Sequence, residues 1–133
     1  MTVYMTESYI ALLNKKVIGR YSPKEEIRII SPSALNMIVN LPEQYVFGKP
    51  LYPTIFDRVA IFYIQLVKKY VFANANKRIA YLALVNFLWL NGYRFSVENK
   101  DAEDRTVNIA VQPLTDALLK ECKDWIEQHC QRY

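Results

Sequence analysis

The chain has 133 residues, 52% of them hydrophobic, which suits a single domain with a packed core. Three glycines are few for an all-β protein and its many tight turns, so helices are favoured. A net charge of +4 with a pI near 9.0 suits an anionic ligand such as a nucleotide, but the long basic clusters of a direct nucleic-acid binder are missing. From the N-terminus, Thr6 precedes the run Glu7 to Leu13 and predicts a short capped helix. Ser31-Pro32 predicts a second start, because Ser caps and Pro suits the first helical position. That helix carries Leu35, Ile38 and Val39 on one face and stops before Pro42. Residues 42–53 hold Pro42, Gly48, Pro50 and Pro53, which predicts irregular chain with Tyr45-Val46-Phe47 as a weak edge strand.

Thr54 then opens a strong helix with Ile55, Phe56, Val59, Phe62, Tyr63, Leu66 and Val67 at helical spacing. Asp57 supplies a partial capping box, and Lys68 and Lys69 complement the dipole at the far end. A loop leads to a helix from about Asn76 to Asn91, closed by Asn91-Gly92. This helix is apolar almost all round, so it is predicted to be the most buried element, with Leu82, Val85, Phe87 and Leu88 packed. The aromatics Phe56, Phe62, Tyr63, Phe87 and Trp89 are assigned to the core. Tyr93 to Val97 alternates as a short extended piece. Two last helices, near 101–110 and 114–129, complete the chain, the second burying Leu118, Leu119, Cys122, Trp125 and Ile126. The expectation is an all-α, compact helical bundle forming one domain over residues 1–133.

Cys122 and Cys130, taken on one helix, would lie roughly 12 Å apart along its axis, too far to bridge, so free thiols are expected. His129 is the only histidine, which excludes a His-rich metal site, and its place near the chain end predicts a surface residue. No leader pattern opens the sequence, and the apolar run at 79–90 is too short to span a bilayer. A soluble, cytoplasmic protein without membrane contact is expected.

The densest functional signal is Tyr70-Val71-Phe72-Ala73-Asn74-Ala75-Asn76-Lys77-Arg78. Small residues, two amides and two cations stand at the mouth of a helix, where free N–H groups and the positive dipole end suit a phosphate. The segment resembles the core motif of the Fic/Doc superfamily, His-x-Phe-x-Asp/Glu-Gly/Ala-Asn-Gly/Lys-Arg, at Phe72, Ala75, Asn76, Lys77 and Arg78. Further segments resemble the Doc (death-on-curing) branch: Ser31 to Leu35, Phe47-Gly48, Leu51 to Phe56, and Phe87 to Gly92. The likeness runs over about residues 5–128 and implies an all-helical fold in which the motif joins two central helices.

The resemblance implies that the backbone of Ala73, Asn74, Ala75, Asn76 and Lys77 receives ATP phosphates. Asn76 would fix the turn and Arg78 would contact phosphate oxygens. Lys77 stands where family adenylyltransferases carry Gly, and in the Doc branch this Lys accompanies transfer of the γ-phosphoryl group onto a threonine of elongation factor Tu. Two positions depart from the motif. Tyr70 replaces the His that handles the target's proton; phenols, with an ordinary pKa near 10, make poor bases at neutral pH. Asn74 replaces the acid that helps hold Mg²⁺ and offers only a neutral oxygen, so weak metal binding is expected. The implied protein is a Doc-type toxin, attenuated or inactive, partnered by an antitoxin whose disordered C-terminal segment folds onto it. Alternatives are a pseudoenzyme that binds nucleotide or protein, an adenylyltransferase, or an unrelated helical adaptor. Structural readings stand beside these: Tyr70 as an aromatic cap, Lys77-Arg78 as a solvated pair, and Asn74 as an ordinary helix N-cap. Tyr9, Tyr21, Tyr45 and Tyr52 carry no readable functional signal.

Overall fold

The computed structural model describes residues 1–133. Six helices dominate: α1 (Glu7–Tyr21), α2 (Pro32–Asn40), α3 (Ile55–Lys68), α4 (Asn76–Leu90), α5 (Asn99–Val111) and α6 (Asp116–Gln128). Two antiparallel two-stranded ribbons complete the fold: β1 (Tyr45–Val46) with β2 (Lys49–Pro50), and β3 (Tyr93–Phe95) with β4 (Cys130–Arg132). The expected helical bundle is what the chain forms.

Several starts follow the local chemistry. Thr6 accepts from Tyr9 N at the head of α1, although that helix runs eight residues beyond Leu13, to Tyr21. Thr54 and Asp57 form a complete capping box at α3. Ser31 stands at the α2 N-cap as expected, but its side chain makes no capping bond, and Pro32 alone marks the start. After α2 a single 3₁₀ turn, Leu41–Glu43, carries Pro42. The first ribbon turns through Phe47 and Gly48, both at positive φ, as a two-residue primed hairpin requires.

Helix α3 is the hub, touching α2, α4, α5 and α6. Eight of its fourteen residues are buried, against six of the fifteen in α4, so the expectation that α4 is the most buried element is corrected. The reason is placement: α3 has neighbours on every side, while α4 packs on α3, α1 and β3 and leaves one face open. Ile79, Ala80, Ala83, Leu84, Phe87 and Leu88 are buried, Leu82 and Val85 are half-buried, and Trp89 is 56% exposed instead of lying in the core. Across the α3–α4 contact, Phe62 meets Phe87 edge to face at 5.1 Å. Helix α1 runs antiparallel to α4, since Tyr9 donates to Asn86 Oδ1 at 2.7 Å and Tyr21 lies beside Arg78.

At the α5–α6 side, Tyr63 shares a 2.6 Å hydrogen bond with Thr106. His129 is half-buried, not a surface residue: it bonds the Trp125 carbonyl and faces Phe95 and Trp125. Cys130 lies on β4, beyond α6, so the shared-helix premise for the two thiols fails, but both are free. Burial pushes the Cys122 thiol up to about 12 and that of Cys130 up to about 11, so neither is a nucleophilic thiolate at neutral pH. No helix is long and apolar enough to cross a membrane.

Candidate active site at the start of α4

The loop between α3 and α4 is anchored before it opens. Val71 and Phe72 are fully buried, and the extended segment beneath them comes from residues 26–31. Val71 O accepts from Ile30 N and Ser31 N, and Ala73 N donates to Arg28 O at 2.9 Å, around a bridge between Ile29 and Phe72. Asn76 closes the turn from within. Its Oδ1 accepts from Phe72 N at 3.0 Å and its Nδ2 donates to Phe72 O at 2.8 Å, a two-point clasp on one residue's backbone.

Ala75 occupies the N-cap of α4 in the left-handed region, at φ 65 and ψ 24, and no side chain caps the helix. A non-glycine residue there is strained by about 1–2 kcal/mol, held by the clasp and the bridged segment behind it. None of the turn, loop or cap hydrogen bonds is donated by the backbone N–H of Asn74, Ala75, Asn76, Lys77 or Arg78. Five consecutive unbonded donors, one residue left-handed, and the positive end of a fifteen-residue helix are an arrangement whose chemistry suits an anion. Ala73 stands outside it, because its N–H is committed to Arg28.

Lys77 and Arg78 are exposed and form no salt bridge. The Arg78 guanidinium carbon stands 4.4 Å from the Tyr21 ring centroid, so the aromatic face orients the fork while its N–H edges stay available. Asn74 is not the helix cap. Its Nδ2 donates to Glu26 O at 3.2 Å, which ties the loop to residues 22–31. Tyr70 is 72% exposed at the entrance, its hydroxyl in no hydrogen bond.

A model of the Fic/DOC family matches residues 4–88, nearly two-thirds of the chain. The chain belongs to that family. Among curated proteins it is similar to Toxin Doc of Mycolicibacterium smegmatis, 26% identical over 97 residues, which cover 73% of this chain and 70% of the relative. This agrees with the Doc branch of the Fic/Doc superfamily.

The Fic/Doc motif residues thus fall together on one turn, with Tyr70 at its entrance and Asn74 to Arg78 around its rim. Nothing in the donor set suits a hard divalent cation held by protein alone. Asn74 offers one neutral oxygen, and no group of three His, Cys, Asp or Glu side chains converges anywhere. Tyr21 and the segment at 26–31 escaped the sequence reading. The β-branched run Ile27-Arg28-Ile29-Ile30 was the available signal for the second; a lone Tyr gave none for the first.

Proposed function

We propose that this protein is a Doc-type toxin of a toxin–antitoxin pair, descended from a kinase that transfers the γ-phosphate of ATP to a hydroxyl of elongation factor Tu, and attenuated by Tyr70. The carrying observation is the row of five unbonded backbone N–H groups at residues 74–78, stiffened by Asn76 and flanked by Lys77 and Arg78. Such a cradle binds phosphate oxygens without rearranging, which is how positioning lowers a phosphoryl-transfer barrier. Lys77 and Arg78 add the charge, Arg78 as a planar fork and Lys77 as a mobile point charge. Mg²⁺, where present, would be carried chiefly by the nucleotide's own phosphates, with Asn74 as a weak protein contact. The name of the mycobacterial relative supports the toxin reading and implies a cognate antitoxin. A disordered acidic segment of that antitoxin suits this chain's net charge of +4.

Tyr70 limits the chemistry. Phenols as a class are poorer general bases at neutral pH than imidazoles, and general-base catalysis is worth typically about 10²–10⁴-fold. The exposed Tyr70, its hydroxyl in no hydrogen bond, also favours the second reading, a pseudoenzyme that binds nucleotide without turnover. Labelled ATP and elongation factor Tu distinguish the two. Tyr70→His is expected to raise phosphate incorporation by about a hundredfold or more, with mass spectrometry showing an added phosphate and not AMP. A Tyr70→His protein that binds ATP yet modifies nothing in a cell lysate would establish the pseudoenzyme instead.

A further inference from the structure

At the opposite end of α3 and α4 from the motif lies an open cleft of ≈480 Å³, whose walls include Thr2, Ile55, Arg58, Asn91, Tyr93 and Arg132. We propose that it is a second, independent oxyanion site, built for the phosphate group of a small ligand. Its charge is one-sided. Two guanidinium groups face it, no carboxylate side chain lines it, and neither arginine takes part in a salt bridge. The carboxylate next in sequence, Asp57, is bound to Thr54 and Lys123 and is not part of the wall.

Both arginines are held in place by bonds that leave donors over. Arg58 is half-buried, with Nε on the Tyr52 carbonyl at 2.8 Å and Nη1 on the Thr2 hydroxyl, which leaves Nη2 unbonded. Arg132 lies across the Tyr93 ring at 5.0 Å and donates Nη1 to the Tyr93 hydroxyl at 3.1 Å, leaving Nε and its own Nη2. A guanidinium carries five N–H donors in a fixed fork and stays charged at any physiological pH. Two partly unused forks offer more donors than a carboxylate's two oxygens need, and they suit the three oxygens of a phosphate. The wall behind them is firm: Asn91 binds both the N–H and the carbonyl of Val3, at 2.7 and 2.9 Å, and stitches the N-terminal segment to the end of α4. The cleft is open to solvent, so an organic group beyond the phosphate meets no wall on that side.

The test follows backbone amide NMR shifts of the full chain during titration with inorganic phosphate, ribose 5-phosphate and acetate. Saturable shifts at Asn91–Tyr93 are expected, and Arg132→Gln should weaken them about tenfold or more while shifts at residues 74–78 persist. Arg132→Gln is the primary variant, since Arg58 also holds the Tyr52 carbonyl and its loss threatens folding. Arg78→Gln should do the reverse, weakening the response at 74–78 and leaving the distal one. Tighter ribose 5-phosphate would mark a phosphate ester as the ligand; equal affinities would mark inorganic phosphate. The proposal is overturned by no saturable shift at Asn91–Tyr93, by an unchanged response in Arg132→Gln, by acetate binding as tightly as phosphate, or by loss of both responses in Arg78→Gln. Because the two sites are read on different amides, failure here leaves the motif site untouched, and the converse holds.

Discussion

Helices α3 and α4 are consecutive and share a core, yet their first turns are built in opposite ways. At α3, Thr54 Oγ1 accepts from Asp57 N at 3.2 Å while Asp57 Oδ2 takes the Thr54 N–H at 3.1 Å and its hydroxyl at 2.6 Å. Lys123 stands 3.3 Å from the other carboxylate oxygen. That end is closed by its own side chains. At α4 the cap residue is Ala75, with no side chain to offer, and the free donors face outward. Stiffness there comes from behind, through the Asn76 clasp and the backbone bonds and single bridge to residues 28–31. An open helix start kept rigid without capping is costly for stability and suits an anion, so the two termini differ in what they leave free: α3 satisfies its own donors and α4 does not.

The largest test of the comparison removes the ground both helices stand on. Leu84 is fully buried on α4, and Leu84→Asp strands a carboxylate there at a cost of several kcal/mol, against roughly 5–15 kcal/mol of total stability. No folded protein is expected by circular dichroism. A native-like spectrum would mean that α3 and α4 do not share one core.

A smaller effect sharpens the contrast directly. Asn76→Ala removes both bonds to Phe72 and should lower stability by about 1–3 kcal/mol in urea denaturation, with clearly weaker ATP binding by calorimetry. Thr54→Ala should lower stability by about 1 kcal/mol and leave ATP affinity unchanged. Equal losses of ATP affinity in both variants would erase the distinction between the two helix starts.

The smallest effect is one of pH. Burial alone would push the Asp57 carboxyl up, but the hydrogen bonds from Thr54 and the Lys123 ammonium outweigh it and hold it below its ordinary range. A depressed folded-state pKa contributes stability that is present above the unfolded carboxylate value, near 3.9, and disappears as pH falls through the folded value. The urea midpoints of wild type and Asp57→Asn should therefore differ at neutral pH and converge below about pH 4. A gap that stays constant to lower pH would remove the charge from the account of this cap.

The legible parts of the fold were those carried by neighbours in sequence. Thr54 with Asp57, Thr6 with Tyr9, and the apolar spacing of Leu35, Ile38 and Val39 each lie within one helical turn. The motif turn was legible for the same reason, since Phe72 and Asn76 are four residues apart. What stayed hidden was pairing across long stretches of chain: Tyr21 with Arg78, Asn74 with Glu26, Arg28 with Ala73. Nothing in the local residues of one segment names the other. Trp89 and His129 were misjudged by the same gap, because an apolar helix face or a place near the chain end does not say which neighbours arrive there. Arg58 and Arg132 were likewise unreadable as a pair.

The two tryptophans have an optical consequence. Trp125 is 5% exposed, with Phe95, Tyr63, His129 and the Arg105 guanidinium around its ring, while Trp89 looks into solvent from the last turn of α4. Only Trp125 has a dry environment to lose, so the red shift of emission on unfolding reports the α5–α6 flank. An aqueous quencher such as acrylamide reaches Trp89 first and dims the native protein without unfolding it. Neither indole is on the α4 turn that holds Lys77 and Arg78, which makes native fluorescence a poor reporter of nucleotide at that site. A tryptophan placed at Tyr21, against the Arg78 guanidinium, would supply the missing signal.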